Sequence, residues 1–152
     1  MGTLANRQDS AGSIPYGGAS LQIPASKAFK VILAEDEKPI LGMYSGILSR
    51  SGFLVIKSFE NGRDLADFVE LNADPELNPD VVITDFRMPI MDGVEASKRI
   101  RAAKPAIKII LASAYDLSMD DMGLFDVVLK KPFGKKELLG AVSQCLDLGF
   151  DG

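Results

Sequence analysis

Four short segments carry side chains able to act together on a charged group. They are Glu35-Asp36, Asp85, Ser113 and Lys131-Pro132. Carboxylates held close together repel, and at least one then takes up a proton more readily than a free acid. A hard cation with oxygen ligands removes that penalty, and Mg²⁺ accepts one or two carboxylates together with waters and phosphate oxygens. A lysine ammonium is a mobile point charge suited to a phosphoryl group. A serine hydroxyl can donate to a phosphoryl oxygen. Each residue also has an ordinary structural explanation. Glu35 and Asp36 can cap a following helix, and Asp85 can be a turn residue ahead of Met88-Pro89. Ser113 can be a loop hydrogen-bonder and Lys131 a solvated surface side chain. Joint placement decides between the two explanations.

That placement follows from the hydropathy pattern. Phe29–Ala34 is a nearly continuous apolar run, as in a strand buried on both faces. Pro39 suits the first turn of a helix, Ile40, Leu41, Tyr44, Ile47 and Leu48 follow at helical spacing, and Gly52 can end it. Phe53–Phe59 reads as a second strand, and Asn61-Gly62 precedes a helix carrying Leu65, Phe68 and Val69. Val81–Thr84 is a third strand ending at Asp85, followed by a helix over 92–103 closed by Pro105. Ile107–Ala112 is a fourth strand, Ser118–Gly123 a short helical piece, and Val127–Leu129 a fifth strand. The last helix starts near Lys135, with Gly134 as its cap and Glu137 in its first turn. Apolar strands alternating with amphipathic helices predict an α/β fold, a doubly wound parallel sheet covered on both faces. Helices on both faces require the strand order to reverse, and ligands of such folds bind beyond the carboxyl ends of the strands near the reversal. The chemistry-bearing residues are the ones that end the strands.

Composition narrows the field. The chain has 152 residues, with 47% apolar and 25% charged residues, values typical of one soluble globular domain. The net charge is −4, and the residues beyond position 28 alone carry −5, a poor balance for counterion-driven nucleic-acid binding. There is no histidine, which removes His-based triads, His metal sites and a phosphohistidine carried by this chain. The single cysteine, Cys145, forms neither an internal disulfide nor a zinc site. No apolar run approaches the roughly 18 residues that span a bilayer. With no signal-peptide core at the N-terminus, the expected address is the cytoplasm. Residues 1–28, rich in Gly, Ser and Pro, are expected to be a flexible tail.

Taken in order, the motifs resemble those of the receiver domain of two-component response regulators, over roughly residues 29–149. Val31–Glu37 resembles the family's acidic first-strand end, and Val81–Gly93, with Met88-Pro89-Ile90-Met91-Asp92-Gly93, its phosphoacceptor strand and loop. Ile109–Ala114 resembles the switch-hydroxyl strand and Lys131-Pro132-Phe133 the Lys-Pro-Phe turn. The resemblance implies a flavodoxin-like five-stranded sheet of order 2-1-3-4-5. It implies Asp85 as phosphoacceptor, with Lys131 and Ser113 as its catalytic partners. Mg²⁺ would be held by Asp36, Asp85 and the backbone carbonyl of Arg87, with Glu35 acting through a water. The implied donor is a phosphohistidine on a sensor histidine kinase or a histidine phosphotransfer protein. The implied output is a downstream protein partner, with no direct DNA binding and no membrane insertion. Little sequence follows Gly149, so the expectation is a stand-alone receiver.

The sequence also departs from the pattern. The family often has an aromatic three residues before the lysine, where this chain has Val128, and Tyr115 is the nearest aromatic to cover the site. Eighteen residues separate Ser113 from Lys131, shorter than the family's spacing by about one helical turn of ~4 residues, so the fourth helix is expected to be short. Two competing functions remain at this stage. One is a degenerate receiver that only binds proteins. The other is a haloacid-dehalogenase-type phosphatase, which needs an acid two residues past its nucleophile, where this chain has Arg87.

Overall fold

The computed structural model describes residues 12–16 and 19–151. Its elements are β1 (Gly12–Tyr16), β2 (Ala19–Ile23), β3 (Lys30–Ala34), α1 (Lys38–Arg50), β4 (Leu54–Phe59) and α2 (Gly62–Leu71). After a 3-10 turn at Pro75–Leu77 come β5 (Val81–Asp85), α3 (Gly93–Ala103), β6 (Lys108–Ser113), α4 (Met119–Met122), β7 (Val127–Lys130), α5 (Lys135–Leu146) and β8 (Gly149–Asp151). Five parallel strands lie in the order β4-β3-β5-β6-β7, the flavodoxin-like arrangement. Among the described residues no helix is long and apolar enough to cross a membrane.

Strand periodicity builds the two layers. Successive β3 side chains alternate faces. Val31 and Leu33 join a cluster with Tyr44, Ile47 and Leu48 of α1 and Leu138 and Val142 of α5. Ile32 and Ala34 join the opposite cluster, with Leu65 and Val69 of α2 and Ala96 and Ile100 of α3. Both faces being covered, β3 and β5 need apolar side chains on both, and all five residues of β5 are buried. The helices begin where local chemistry satisfies their free N–H groups. Asn61 accepts from Asp64 N at 2.8 Å, and Asp92 accepts from Glu95 N at 2.8 Å. At α5 the carboxylate of Glu137 accepts from the Gly134 N–H at 3.0 Å.

One glycine is required by the site itself. A Cβ on Gly93 would collide with the backbone carbonyl oxygen of Asp85. The Gly93 N–H donates to Phe86 O at 2.7 Å, so the loop after β5 turns back tightly on the strand that ends in the acid.

The expectation of a flexible tail over 1–28 is corrected for part of that segment. β2 pairs antiparallel with β1 and with β8, Leu21 standing opposite Phe150. Leu21 is 1% and Ile23 7% exposed, and both belong to the α1/α5 core cluster. Phe150 lies over Gly140 of α5, where its ring would be in van der Waals contact with a Cβ. The apolar cover for Leu21 thus comes from the far end of the chain. Residues 1–11 and 17–18 of the expected tail lie outside the described residues. The short fourth helix is as expected: α4 has four residues, with Ser118 as its cap.

If β2 belongs to the core, Leu21→Ala costs about 2–4 kcal/mol through lost burial and the cavity left behind. Urea unfolding of the full chain measures this. A midpoint within error of the unsubstituted protein would mean that the segment is not part of the cooperative core.

Candidate functional site

Parallel pairing brings the four predicted segments to one rim. Ala34 of β3 sits beside Thr84 of β5, so Glu35-Asp36 leaves the sheet next to Asp85. Asp85 stands opposite Ala112 of β6, and Ser113 opposite Lys130 of β7. The Lys131 N–H donates to Ser113 O at 2.9 Å, placing the lysine one step past the sheet.

Glu35, Asp36 and Asp85 each present a carboxylate oxygen within 4.8 Å of the others. Their burial differs. Glu35 is fully buried, Asp85 is 9% exposed and Asp36 faces solvent. The Lys131 ammonium bridges the two buried acids, 2.9 Å from Asp85 Oδ1 and 3.2 Å from Glu35 Oε1. Burial pushes the Glu35 carboxyl above its ordinary value, against a hydrogen bond from the Glu37 N–H, and the negative charge of Asp85 pushes the same way. Burial disfavours the Lys131 charge, but hydrogen bonds and attraction to Asp85 and then Glu35 outweigh it, so the ammonium is held above its usual range. Tyr44, packed beneath the site and stacked on Phe133 at 5.4 Å, has its phenol pushed up to about 12, chiefly by burial.

Ser113 is 1% exposed and is engaged within its own loop. Its hydroxyl donates to Tyr115 O at 2.8 Å and accepts from Tyr115 N at 2.9 Å. Arg87 lines the same cleft as Asp36, Asp85, Tyr115 and Lys131. The guanidinium carbon of Arg87 lies 4.5 Å from the centre of the Phe86 ring and 5.2 Å from that of Tyr115. Phe86 is the residue that sequence reasoning passed over. It follows Asp85 directly, and only the three-dimensional pairing with Tyr115 marks it.

The donor set fits a hard divalent cation. Three carboxylate oxygens converge, one of them is solvent-facing, and a single ammonium offsets only one of the three negative charges. The same arrangement holds a carboxylate, Asp85, at the mouth of a cleft of about 330 Å³ with a lysine beside it, the geometry of a nucleophile next to a charge that can follow it through a reaction.

Removing the ammonium leaves two buried acids facing each other. Lys131→Met is expected to destabilise the metal-free protein by about 2–3 kcal/mol near neutral pH, below the loss for a fully buried pair because 20% of the lysine side chain is exposed. The sign with pH follows from Glu35. Its carboxyl titrates above its unfolded value, so the folded state takes up a proton first and gains stability as pH falls. Without the ammonium this effect grows, so the deficit shrinks between about pH 7.5 and about pH 5. Urea unfolding of both proteins across that range checks it; a deficit that is constant or larger in acid contradicts the bridging role.

The model of the response regulator receiver domain matches residues 31–143. A protein-glutamate methylesterase/protein-glutamine glutaminase of Paramagnetospirillum magneticum is 32% identical over 127 residues, covering 78% of this chain. The chain spans about a third of that relative's length, 32%. Among solved structures, a CheY-like receiver domain protein of Methanospirillum hungatei superposes with a TM-score of 0.69 at 20% identity, covering 80% of this chain and 95% of its own. A response regulator receiver protein of Sinorhizobium medicae superposes with a TM-score of 0.66 at 28% identity, covering 80% and 96%. With the acids on the rim that the strand order dictates, the chain belongs to the response regulator receiver domain family.

Proposed function

We propose that Asp85 accepts a phosphoryl group from a phosphohistidine and that the resulting charge switches a partner-binding surface. The observation that carries this reading is the Lys131 ammonium held between Asp85 and Glu35, at 2.9 and 3.2 Å. It holds the Asp85 carboxylate in place before any donor arrives.

The step is an in-line displacement. An Asp85 carboxylate oxygen bonds to phosphorus while the bond from phosphorus to the donor imidazole nitrogen breaks and that nitrogen keeps the electron pair. The donor ring reacts with its other nitrogen protonated, so the products are an acyl phosphate on Asp85 and a neutral imidazole. Asp36, Asp85 and the backbone carbonyl of Arg87 would hold Mg²⁺, with Glu35 acting through a water. When bound, the ion offsets the negative charge of the donor phosphoryl oxygens against the acidic rim. Lys131 shifts from the Asp85 carboxylate to the phosphoryl oxygens, and Ser113 donates its hydroxyl to one of them. The phosphoryl group adds about 1.5–2 negative charges at a rim already rich in acids, which favours rearrangement of the adjoining loops.

This sequence has no histidine, so the donor lies outside it, on a sensor histidine kinase or a histidine phosphotransfer protein. A downstream protein reads the switched surface. The set of three acids, lysine and serine favours this over a degenerate receiver. Arg87, two residues past Asp85, cannot act as the general acid of a phosphatase of the haloacid-dehalogenase type.

The test uses a small phosphodonor, such as acetyl phosphate or phosphoramidate, with Mg²⁺, read by intact mass. The full chain should gain one phosphoryl group, and chelation should prevent it. Asp85→Ala should gain none, and Asp36→Ala should lose the dependence on Mg²⁺ together with most of the labelling. Undiminished labelling of Asp85→Ala would assign the phosphoryl group elsewhere and end this reading.

A further inference from the structure

One buried ring beside the site has no part in the phosphoryl-acceptor reading. Tyr44 lies on α1, outside the four segments that end the strands, and its helical spacing marks it only as a core position. It is 6% exposed and packs in the cluster of Ile47, Leu138 and Val142. Its ring also stacks on Phe133, nearly parallel at 16°, with centres 5.4 Å apart. A leucine would fill a similar volume among those neighbours, but only a ring stacks on a ring. Besides burial, the groups that act on its phenol are Lys131, Glu35, Asp85 and Glu37, which sets this ring beside the ion pairs.

The stack completes a closed circuit around Lys131. Glu35 Oε1 meets the Lys131 ammonium at 3.2 Å, and Glu35 Oε2 accepts from the Glu37 N–H at 3.1 Å. Glu37 is the cap at which α1 starts, and α1 carries Tyr44 about two turns further on. Tyr44 holds Phe133, and Phe133 follows Lys131 in the chain after Pro132. Each end of the Lys131–Glu35 contact is thus fastened to the same helix, one by a hydrogen bond and the other by a ring stack. Phe133 is the anchor of the turn, being half-buried while Pro132 and Gly134 on either side are exposed. The bond from the Lys131 N–H to Ser113 O fixes where the turn begins, and the stack fixes where it goes.

We propose that Tyr44 is a positioning residue for phosphoryl transfer, its ring holding the Lys131-Pro132-Phe133 turn so that the ammonium stays between Glu35 and Asp85. This role rests on the phosphoryl-acceptor reading. In that reaction Lys131 moves from the Asp85 carboxylate to the phosphoryl oxygens, and a flexible four-carbon stem delivers its charge to one place only from a fixed backbone. Without the ring the turn is freed, and the ammonium leaves the buried acids for solvent, to which 20% of its side chain is already exposed. Tyr44 acts through Phe133 and Lys131, not on the reacting atoms.

The experiment joins the time course of labelling by acetyl phosphate with Mg²⁺, read by intact mass, to NMR of the Lys131 ammonium in the full chain. An ammonium held between two carboxylates exchanges its protons slowly and gives a resolved nitrogen–proton signal, identified by its absence in Lys131→Met. Tyr44→Leu should remove that signal and slow labelling by about 10- to 100-fold, the scale for a displaced positioning group. Tyr44→Phe, which keeps the ring, should retain both. Phe133→Leu, which breaks the stack from the half-buried side, should reproduce both losses and decides the matter if Tyr44→Leu does not fold. The amides of Val69 and Ile100, in the opposite core cluster, report folding. The double leucine variant should label no more slowly than the slower single one, because the stack is already gone. If either the signal or the rate is unchanged in folded Tyr44→Leu and Phe133→Leu, the positioning role is overturned while the acceptor reading stands. Additive losses in the double variant overturn it too, and losses in Tyr44→Phe equal to those in Tyr44→Leu assign the effect to the hydroxyl and overturn the stack. If the unsubstituted protein is not labelled, the acceptor reading fails and this role falls with it.

Discussion

Two carboxylates taken out of water and one ammonium between them set the terms for the rest of this molecule. At about 3 Å and an effective dielectric of about 20, each contact of Lys131 is worth about 5 kcal/mol of gross attraction. Desolvating each ion costs several kcal/mol, so the net contribution to stability is small. A site in that condition is balanced, not strongly held. Its charges redistribute at low cost when another charge arrives, which is what a switch needs. Glu35 sharpens the balance. It is fully buried, and its contact with the ammonium keeps that charge close to Asp85.

The scaffold delivers these groups by means that are mostly apolar. β3 and β5 are buried from both sides, which fixes their ends relative to each other without help from the acids. The loop after β5 is pinned at two points. Gly93 packs against the Asp85 carbonyl, and the Gly62 N–H at the start of α2 donates to Met91 O at 2.8 Å. Side-chain repulsion at the rim is therefore resisted by backbone contacts one layer below. The strand end that carries Asp85 is thereby held by its backbone.

Much of this was legible in the sequence because it is local. Alternating burial in Val31–Ala34 and helical spacing in Tyr44, Ile47 and Leu48 are patterns a few residues long, and a parallel sheet converts them into a shared rim. The N-terminal sheet was not legible. Leu21 and Ile23 make only a two-residue alternation among Gly, Ser and Pro, and their partner Phe150 lies at the other end of the chain. The difference between Glu35 and Asp36 was equally hidden. Neighbouring acids look alike until the chain leaving β3 buries one and turns the other outward. The contacts of Arg87 needed rings from two separate loops, and no spacing rule reports such a meeting.

The bonds that Ser113 makes with Tyr115 give the site a direction. A neutral hydrogen bond contributes about 0.5–1.5 kcal/mol net, so a buried hydroxyl satisfied twice in its own loop has no reason to leave for another neutral partner. A bond to a charged acceptor is worth about 1.5–3 kcal/mol. Only a strongly anionic oxygen beside Asp85 repays the loss of both loop bonds. The same hydroxyl that reads as an ordinary loop hydrogen-bonder in the unmodified protein thus becomes selective for charge. The threshold for drawing that hydroxyl away is set by the loop bonds themselves.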